Sequence, residues 1–252
     1  MSDIDVSIVI PSYNETAEMK MQALDDVFAY LKDQKYSYEV ILVDDGSTNN
    51  SLPKVKEHIK KLKGFRVLEP EHGGKALTVM NGMLAAKGEI ALFTDLDQAT
   101  PIDQLEKILP EFKNGNDIVI GSRSTDRKGA PLFRKLTALG FILSRNIILG
   151  LPYKDTQCGF KAFNKPSRDA IFGQMLRDWK KSVVKGAAVN ASFDVEALYI
   201  AKKKGYKVAE VPVVWRHVDV GSRQVNVVNE AIDALSAMLR IRWDSTVNKK
   251  YS

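Results

Sequence analysis

Short apolar stretches alternate with amphipathic stretches along the first half of the chain. The first of them, residues 5–11, is rich in β-branched side chains and closes at Pro11, which predicts a buried strand. Residues 17–33 instead carry apolar side chains at helical spacing. The same patterns recur and predict strands over 39–43, 65–68, 89–94 and 117–120 and helices over 52–62, 74–86 and 102–113. Strands that alternate with helices in this way predict an α/β fold, a parallel sheet covered by helices on both faces.

Polar residues directly follow three of the predicted strands. They are residues 12–15, residues 44–47 and residues 95–97. In open α/β sheets, ligands bind outside the carboxyl ends of the strands. The three segments therefore predict one ligand-binding crevice.

Two later segments are apolar but interrupted by charge. Residues 132–151 are mostly apolar, yet Arg134, Lys135 and Arg145 lie among them. Residues 225–243 are amphipathic and end in Arg242 and Trp243. Each pattern is typical of a packed helix, and each is also typical of a helix that lies on an anionic lipid surface. The polar residues at the centre of 132–151 exclude a membrane-spanning helix there.

Composition narrows the class of protein. A chain of 252 residues that is 44% hydrophobic and 27% charged fits one large globular domain or two small ones. The first residues are acidic, whereas a signal peptide begins with positive charge. The single cysteine excludes a disulfide framework and a multi-cysteine zinc site. We therefore expect a cytoplasmic protein.

Charge is distributed unevenly along the chain. Residues 1–120 carry 13 Lys or Arg against 20 Asp or Glu, whereas residues 121–252 carry 24 against 11. The net charge of +6 is far below that of a dedicated nucleic-acid binder. Arg123, Arg134 and Lys135 lie in or beside a basic loop after the strand at 117–120. Because the arginine fork suits phosphate oxygens, we expect an anionic substrate there, with a solvated basic loop as the alternative.

The segment Asp95-Leu96-Asp97 is the strongest chemical motif. Two carboxylates one residue apart at a strand end can share a hard divalent cation with a diphosphate, which predicts a metal site. Most Asp-x-Asp sequences are solvated turns, but the preceding apolar strand favours the metal site. Asp44 and Asp45 have two interpretations: they form a helix cap and turn, or they accept hydrogen bonds from a base or a ribose.

The sequence lacks the motifs of P-loop proteins, dinucleotide-binding proteins and cysteine-nucleophile enzymes. The segment Gly73-Gly74-Lys75 is not a P-loop because Glu69 stands where that motif needs glycine. The chain contains no Gly-x-Gly-x-x-Gly dinucleotide fingerprint. The spacing of the three histidines suggests no partner for a nucleophilic Cys158.

Taken together, these segments resemble the family-2 glycosyltransferases that move a sugar from a nucleotide-sugar to a polyprenyl phosphate. The resemblance rests on VIPSYNE at 9–15, VDDGS at 43–47, GGK at 73–75 and the Asp-x-Asp motif. More specifically, DTQCGFK at 155–161, FDVE at 193–196 and EVPVVW at 210–215 resemble the dolichyl-phosphate β-glucosyltransferase branch.

The resemblance implies a fold and an activity. The fold is a single GT-A domain with a mostly parallel central sheet flanked by helices. Residues 1–120 bind the nucleotide-sugar, residues 121–224 bind the acceptor, and residues 225–252 form an amphipathic helix and tail. The activity is metal-dependent, inverting transfer of glucose from UDP-glucose to dolichyl or undecaprenyl phosphate. Because the chain lacks the N-terminal membrane anchor of the eukaryotic enzymes, we expect peripheral association with the cytoplasmic face of a membrane.

The resemblance also implies roles for individual residues. Asp95 and Asp97 are expected to bind Mg²⁺ or Mn²⁺, and Arg123, Arg134 and Lys135 are expected to bind the acceptor phosphate. The expected catalytic residues are Asp97, Asp194 and Arg123, and the expected donor-binding residues are Pro11, Tyr13, Glu15, Asp44, Asp45, Lys75, Asp95, Leu96 and Arg223. A phosphate monoester has a second pKa of about 6, so this nucleophile needs no strong general base at neutral pH.

Three alternatives remain open on the sequence alone. A GDP-mannose-dependent polyprenyl-phosphate mannosyltransferase usually has glutamine two places after the second metal-binding Asp, whereas Gln98 follows Asp97 directly. A family-2 transferase with a soluble glycan acceptor differs only in its acceptor, and a nucleotide-sugar sensor would not turn over its ligand. A processive glycan synthase is set aside because Leu239 stands where its Gln-x-x-Arg-Trp motif needs glutamine.

Overall fold

The computed structural model describes residues 4–123, 132–179, 193–216, 227–248 and 251. For residues 132–139 and 227–231 it describes the helical backbone and not the side chains.

The described residues form seven strands in one sheet. The strands are β1 (Val6–Ser12), β2 (Tyr38–Asp44), β3 (Phe65–Leu68), β4 (Ile90–Thr94), β5 (Ile118–Arg123), β6 (Phe160–Asn164) and β7 (Val208–Val213). Their order across the sheet is β3-β2-β1-β4-β6-β5-β7. All neighbours pair in parallel except β6, which runs antiparallel to β4 and β5. The predicted α/β fold is confirmed, and β6 and β7 add two strands to those predicted.

Eight α-helices lie in the described part of the chain. They are α1 (Ala17–Leu31), α2 (Leu52–Ile59), α3 (Lys75–Ala85), α4 (Leu105–Lys113), α5 (Leu132–Leu149), α6 (Lys165–Trp179), α7 (Phe193–Lys203) and α8 (Val227–Thr246). The helix predicted over 102–113 begins as a 3-10 turn, Ile102–Gln104, before α4. Thr16 is the N-cap of α1, and its hydroxyl accepts a hydrogen bond from the Met19 amide at 3.2 Å.

The hydrophobic core has two layers, one on each face of the sheet. Helices α1, α2 and α4 cover one face, and α3, α6, α7 and α8 contribute to the layer on the other. Strand β1 is buried along its whole length, as expected of a strand covered on both faces. Gly82 lets α3 approach the sheet closely, because a Cβ at this position would collide with Val9 and Val43. None of the helices within the described ranges combines the length and apolarity needed to cross a membrane.

The sheet has a switch point between β1 and β4. After β1 the chain adds β2 and then β3 on one side of β1. It then returns to add β4 on the other side of β1, so the connections diverge between β1 and β4. Because β6 is antiparallel, the loop that precedes it, residues 154–159, enters at the carboxyl edge of the parallel strands. Loops after β1, β2, β4 and β5 therefore meet the 154–159 loop at the edge where α/β sheets bind ligands.

Candidate active site

The loops after β1 and β2 are joined by hydrogen bonds. Asn14 adopts a positive φ of 60°, and its side-chain oxygen accepts from the Thr48 amide at 2.8 Å. The Asn14 amide donates to the Ser47 hydroxyl at 2.9 Å. Glu15 accepts from the Tyr13 amide at 2.7 Å and so closes the turn that follows the buried Pro11. These contacts form one wall of the crevice and place Tyr13 on it.

Asp44 is enclosed by protein partners. Its carboxylate lies 2.9 Å from the Lys20 ammonium and accepts from the Ser47 hydroxyl at 2.7 Å. The Lys20 and Asp44 side chains are 0% and 1% exposed. Burial acts to raise the pKa of Asp44, but the hydrogen bonds from Ser47 and Lys20 outweigh it and lower the pKa. Of the two interpretations of Asp44, this geometry favours the structural turn over a donor contact.

Asp45 holds the glycine loop that precedes α3. Its two carboxylate oxygens accept from the amides of Gly73 and Gly74, each at 2.9 Å. His72 Nδ1 lies 2.8 Å from the Asp45 carbonyl oxygen, and the His72 ring stacks on Tyr13 with centroids 4.8 Å apart. His72 was not among the predicted site residues. The only local signal for it was its position beside the glycine pair.

Asp95 and Lys75 form an ion pair at the centre of the crevice. The Lys75 Nζ lies 2.6 Å from Asp95 Oδ1, and the two side chains are 32% and 35% exposed. A Cβ at Gly159 would collide with the Asp95 carboxylate, so a larger residue in the 154–159 loop would push this carboxylate aside. Leu96 is buried and anchors the turn, while Asp97 is exposed and accepts from the Ala99 amide at 3.0 Å. The structure thus brings both predicted metal-binding carboxylates to the switch point.

The carboxylates suit a divalent cation that arrives with a diphosphate. Within the described residues, no cluster of three or more His, Cys, Asp or Glu side chains could hold a metal ion. Mg²⁺ typically takes one or two carboxylates together with substrate phosphates, and Asp95 and Asp97 match that donor set. The side-chain nitrogen of Gln98 donates to the Asp95 carbonyl at 2.9 Å, whereas its Oε1 is buried and has no hydrogen-bond partner among the described residues.

Arg123, at the end of β5, is fixed by Asp155. Its Nε and Nη2 atoms lie 2.6 and 3.0 Å from the two carboxylate oxygens of Asp155. The guanidinium also lies 5.9 Å from the centroid of the Trp215 ring. Burial acts to raise the pKa of Asp155, but the hydrogen bonds and charge of Arg123 outweigh it and lower the pKa. The two-point contact orients the guanidinium at the end of β5.

The other predicted phosphate contacts lie outside the described part of the structure. Only the backbone is described for Arg134 and Lys135, on the first turn of α5, and Arg223 falls in 217–226. Farther along α5, the buried Arg145 donates to the Thr156 hydroxyl at 2.8 Å and to the Tyr153 carbonyl. Through Arg145, α5 therefore packs against the segment that precedes β6, as expected of a packed helix.

Asp194 is paired with a buried lysine that the sequence analysis missed. The Lys161 Nζ lies 2.6 Å from Asp194 Oδ1 and 5.3 Å from the centroid of the Phe93 ring. Lys161 stands on β6 between apolar residues, a pattern that by itself indicates only a strand. Burial raises the pKa of the neighbouring Cys158 thiol, which disfavours the thiolate that a nucleophilic role would need.

Two solved structures illustrate the fold that this chain shares. Glucosyl-3-phosphoglycerate synthase from Mycobacterium tuberculosis in complex with UDP gives a TM-score of 0.63 at 17% identity, covering 95% of this chain and 80% of that chain. Mannosyl-3-phosphoglycerate synthase from Rubrobacter xylanophilus gives a TM-score of 0.59 at 16% identity, covering 94% of this chain and 73% of that chain. The sheet order and the carboxylates at its switch point define the class of GT-A glycosyltransferases, and the predicted GT-A fold is confirmed.

Sequence comparison then defines the family. Residues 7–172 match the model of glycosyl transferase family 2. The dolichyl-phosphate β-glucosyltransferase of Dictyostelium discoideum is 32% identical over 261 residues, covering 96% of this chain and 75% of that protein. The enzyme of the same name from Saccharomyces cerevisiae is 31% identical, covering 86% of this chain and 68% of that protein. The one from Homo sapiens is 30% identical, covering 87% of this chain and 69% of that protein. This chain belongs to glycosyl transferase family 2 and is a glycosyltransferase, as predicted.

Proposed function

We propose that this enzyme transfers glucose from UDP-glucose to a polyprenyl phosphate, dolichyl or undecaprenyl, with inversion and with Mg²⁺ or Mn²⁺. The observation that carries the proposal is the similarity of nearly the whole chain to dolichyl-phosphate β-glucosyltransferases. Neighbours in fold have been crystallised with UDP and Mn²⁺ or Mg²⁺, and one with UDP-glucose. These complexes support the choice of donor and metal.

The donor is assigned to the half formed by residues 1–120. The Tyr13–His72 ring pair offers a flat surface for the uracil base, since aromatic rings stack on nucleic-acid bases. Asp45 keeps the glycine loop in place, so that Lys75 lies beside Asp95 at the position assigned to the diphosphate. When bound by Asp95 and Asp97, the metal would stabilise the negative charge that develops on the leaving UDP.

The acceptor is assigned to residues 121–224. A phosphate oxygen of the acceptor attacks the anomeric carbon, and the bond from that carbon to UDP breaks on the opposite side, which inverts the configuration. Arg123, which Asp155 orients, is assigned to the acceptor phosphate. Asp194 is assigned a positioning role, because Lys161 neutralises it and the acceptor needs no strong base.

An assay with a panel of donors and acceptors tests this function. We expect the enzyme to form lipid-linked glucose from UDP-glucose, Mn²⁺ and dolichyl phosphate, and none from dolichol, which lacks the phosphate nucleophile. Thermal shift ranks the donors independently, since a ligand at 100 times its Kd adds about 2.7 kcal/mol of stability. Preferred transfer from GDP-mannose, or transfer to a soluble glycan instead of the lipid, would refute the proposal. Donor binding without transfer to any acceptor would indicate a sensor.

A lipid acceptor implies contact with a membrane, and α8 presents a suitable surface. The exposed residues Ile232, Leu235, Leu239 and Trp243 form a stripe along one side of α8, here called the apolar stripe. The opposite side, including Met238 and Ile241, is packed in the core. The helix is therefore apolar on two sides, and its packing explains only one of them.

We assign the apolar stripe to an anionic lipid bilayer on the cytoplasmic face. Helical geometry places the exposed Arg240 and Arg242 on either side of the stripe, where they complement anionic headgroups. Each basic side chain near such a surface contributes about 1 kcal/mol. Trp243, at the end of the stripe, is 61% exposed and belongs to the residue type enriched at membrane interfaces.

Vesicle sedimentation tests the apolar stripe. We expect the wild type to co-pellet with vesicles that contain phosphatidylserine, and L239E/W243E to lose about tenfold or more in partitioning, because burying carboxylates in the bilayer interface is unfavourable. M19E is the matched control, since Met19 is also exposed but lies on α1, across the sheet. Equal partitioning of all three proteins would refute the assignment. A change of oligomeric state in L239E/W243E, without loss of vesicle binding, would instead assign the stripe to a second copy of the chain.

A further inference from the structure

The Lys75 ammonium contacts one oxygen of the Asp95 carboxylate, which is assigned to the metal ion. The ammonium lies 2.6 Å from Asp95 Oδ1, and Gly159 passes so close to the carboxylate that a Cβ there would collide with Oδ2. Both members of the pair are about one-third exposed, at 32% and 35%, so ions from solvent reach them. A cation that binds Asp95 through Oδ1 therefore competes with Lys75 for this oxygen.

The charges around Lys75 make it a firmly bound cation. Asp95 contacts the Lys75 ammonium, and the carboxylates of Asp97 and Asp194 lie close enough to interact with its charge. Lys161 is the second cation of the group through its pair with Asp194. Three carboxylates and two ammonium groups leave one net negative charge. A divalent ion added alone would make the group positive, whereas an ion added with a diphosphate would not.

Lys75 can move without disturbing the fold. It is the first residue of α3, and the preceding Gly73 and Gly74 are held through their amides by Asp45. Its four-carbon side chain is flexible and its charge is compact. Exchange therefore requires a change of side-chain rotamer, while the backbone stays anchored.

We propose that Lys75 is the resident counter-ion of Asp95, that the divalent metal displaces it, and that the released ammonium then binds the donor diphosphate. This inference rests on the metal-dependent function proposed above. Lys75 opposes metal binding in the empty enzyme and favours it once the nucleotide is present. Metal and nucleotide therefore bind cooperatively, and the cooperativity depends on one side chain.

Equilibrium binding of Mn²⁺, followed by the EPR signal of the free ion, tests the exchange without any assay of turnover. We expect K75Q to bind Mn²⁺ about tenfold more tightly than the wild type in the absence of nucleotide, because the competing charge is gone. We also expect UDP to tighten Mn²⁺ binding to the wild type, and to do so about tenfold less in K75Q. K56Q is the matched control: Lys56 also lies 2.6 Å from a carboxylate, that of Glu69, and should leave both Mn²⁺ affinities unchanged.

Two further outcomes complete the test. The variant K75R keeps the cation and can hold Asp95 with its fork, so it should bind Mn²⁺ no more tightly than the wild type, and thermal melting checks that each variant is folded. Equal Mn²⁺ affinity of K75Q and the wild type without UDP would overturn the exchange and leave the proposed function intact. Failure of the wild type to bind Mn²⁺ even with UDP would overturn both the exchange and the metal-dependent function.

Discussion

Replacing Asp97 with alanine is expected to lower kcat for glucosyl transfer about a hundredfold or more, the size of effect that removing one charge-stabilising group has in other enzymes. Asp97 is exposed at the switch point, and its carboxylate engages the Ala99 amide, so one oxygen remains available to an ion. Without it the metal would depend on Asp95 and the diphosphate alone. Initial rates over a range of Mn²⁺ concentrations, at saturating UDP-glucose and acceptor, measure the loss.

The control for this prediction is D169N. Asp169 is an exposed carboxylate on α6, at the opposite edge of the sheet, where it pairs with Lys165. Its replacement should leave kcat unchanged. Full activity of D97A, with the circular dichroism and melting temperature of the wild type, would remove Asp97 from the metal site.

Replacing Lys20 with methionine is expected to destabilise the fold by about 3–5 kcal/mol, because it leaves the Asp44 carboxylate buried without its counter-ion. The pair is almost fully buried, with side-chain exposures of 0% and 1%. Urea unfolding followed by circular dichroism measures the change. The double variant K20M/D44L should recover part of the loss, since replacing both charges by apolar groups removes the unpaired charge.

An exposed pair of the same length is the control for the buried one. Lys165 and Asp169 also lie 2.9 Å apart but are 51% and 45% exposed, so K165M should cost about 1 kcal/mol or less. If K20M costs no more than K165M, Asp44 does not depend on Lys20. Its structural assignment would then lose its main support.

The same pair should make stability depend on acidity. The pKa of Asp44 is lowered in the folded state, so its contribution is complete above the pKa of the unfolded chain and is lost as pH falls through the folded value. Stability of the wild type should therefore fall below about pH 4, and D44N should lack this part of the fall. Unfolding free energies of the two proteins across this acid range measure the difference.

Local patterns were sufficient to predict much of the α/β architecture. The apolar runs that became β1 to β5 are short and bounded by turn residues, and the helices between them carry one apolar face, so each element follows from its own residues. The Asp-x-Asp motif was placed at the correct edge for the same reason. A strand end is a local feature, and the rule that ligands bind beside it is general.

Pairings between distant residues could not be predicted in this way. Lys20 lies on an amphipathic helix, where lysine is ordinarily solvated, and only the tertiary structure buries it against Asp44. The partners of Asp45, Asp155 and Asp194 are 28, 32 and 33 residues away along the chain. No local pattern records which of the charged residues will meet.

The uneven charge along the chain is likewise predicted by the sequence, whereas the pairing of those charges depends on the tertiary structure. The excess of acidic residues in the first half and of basic residues in the second is a property of composition, visible without coordinates. Where those charges are neutralised depends on the antiparallel course of β6, which brings the 154–159 loop beside Asp95 and places Lys161 against Asp194. Strand direction depends on contacts between segments far apart in sequence, so the arrangement of charges at the site is a consequence of tertiary structure.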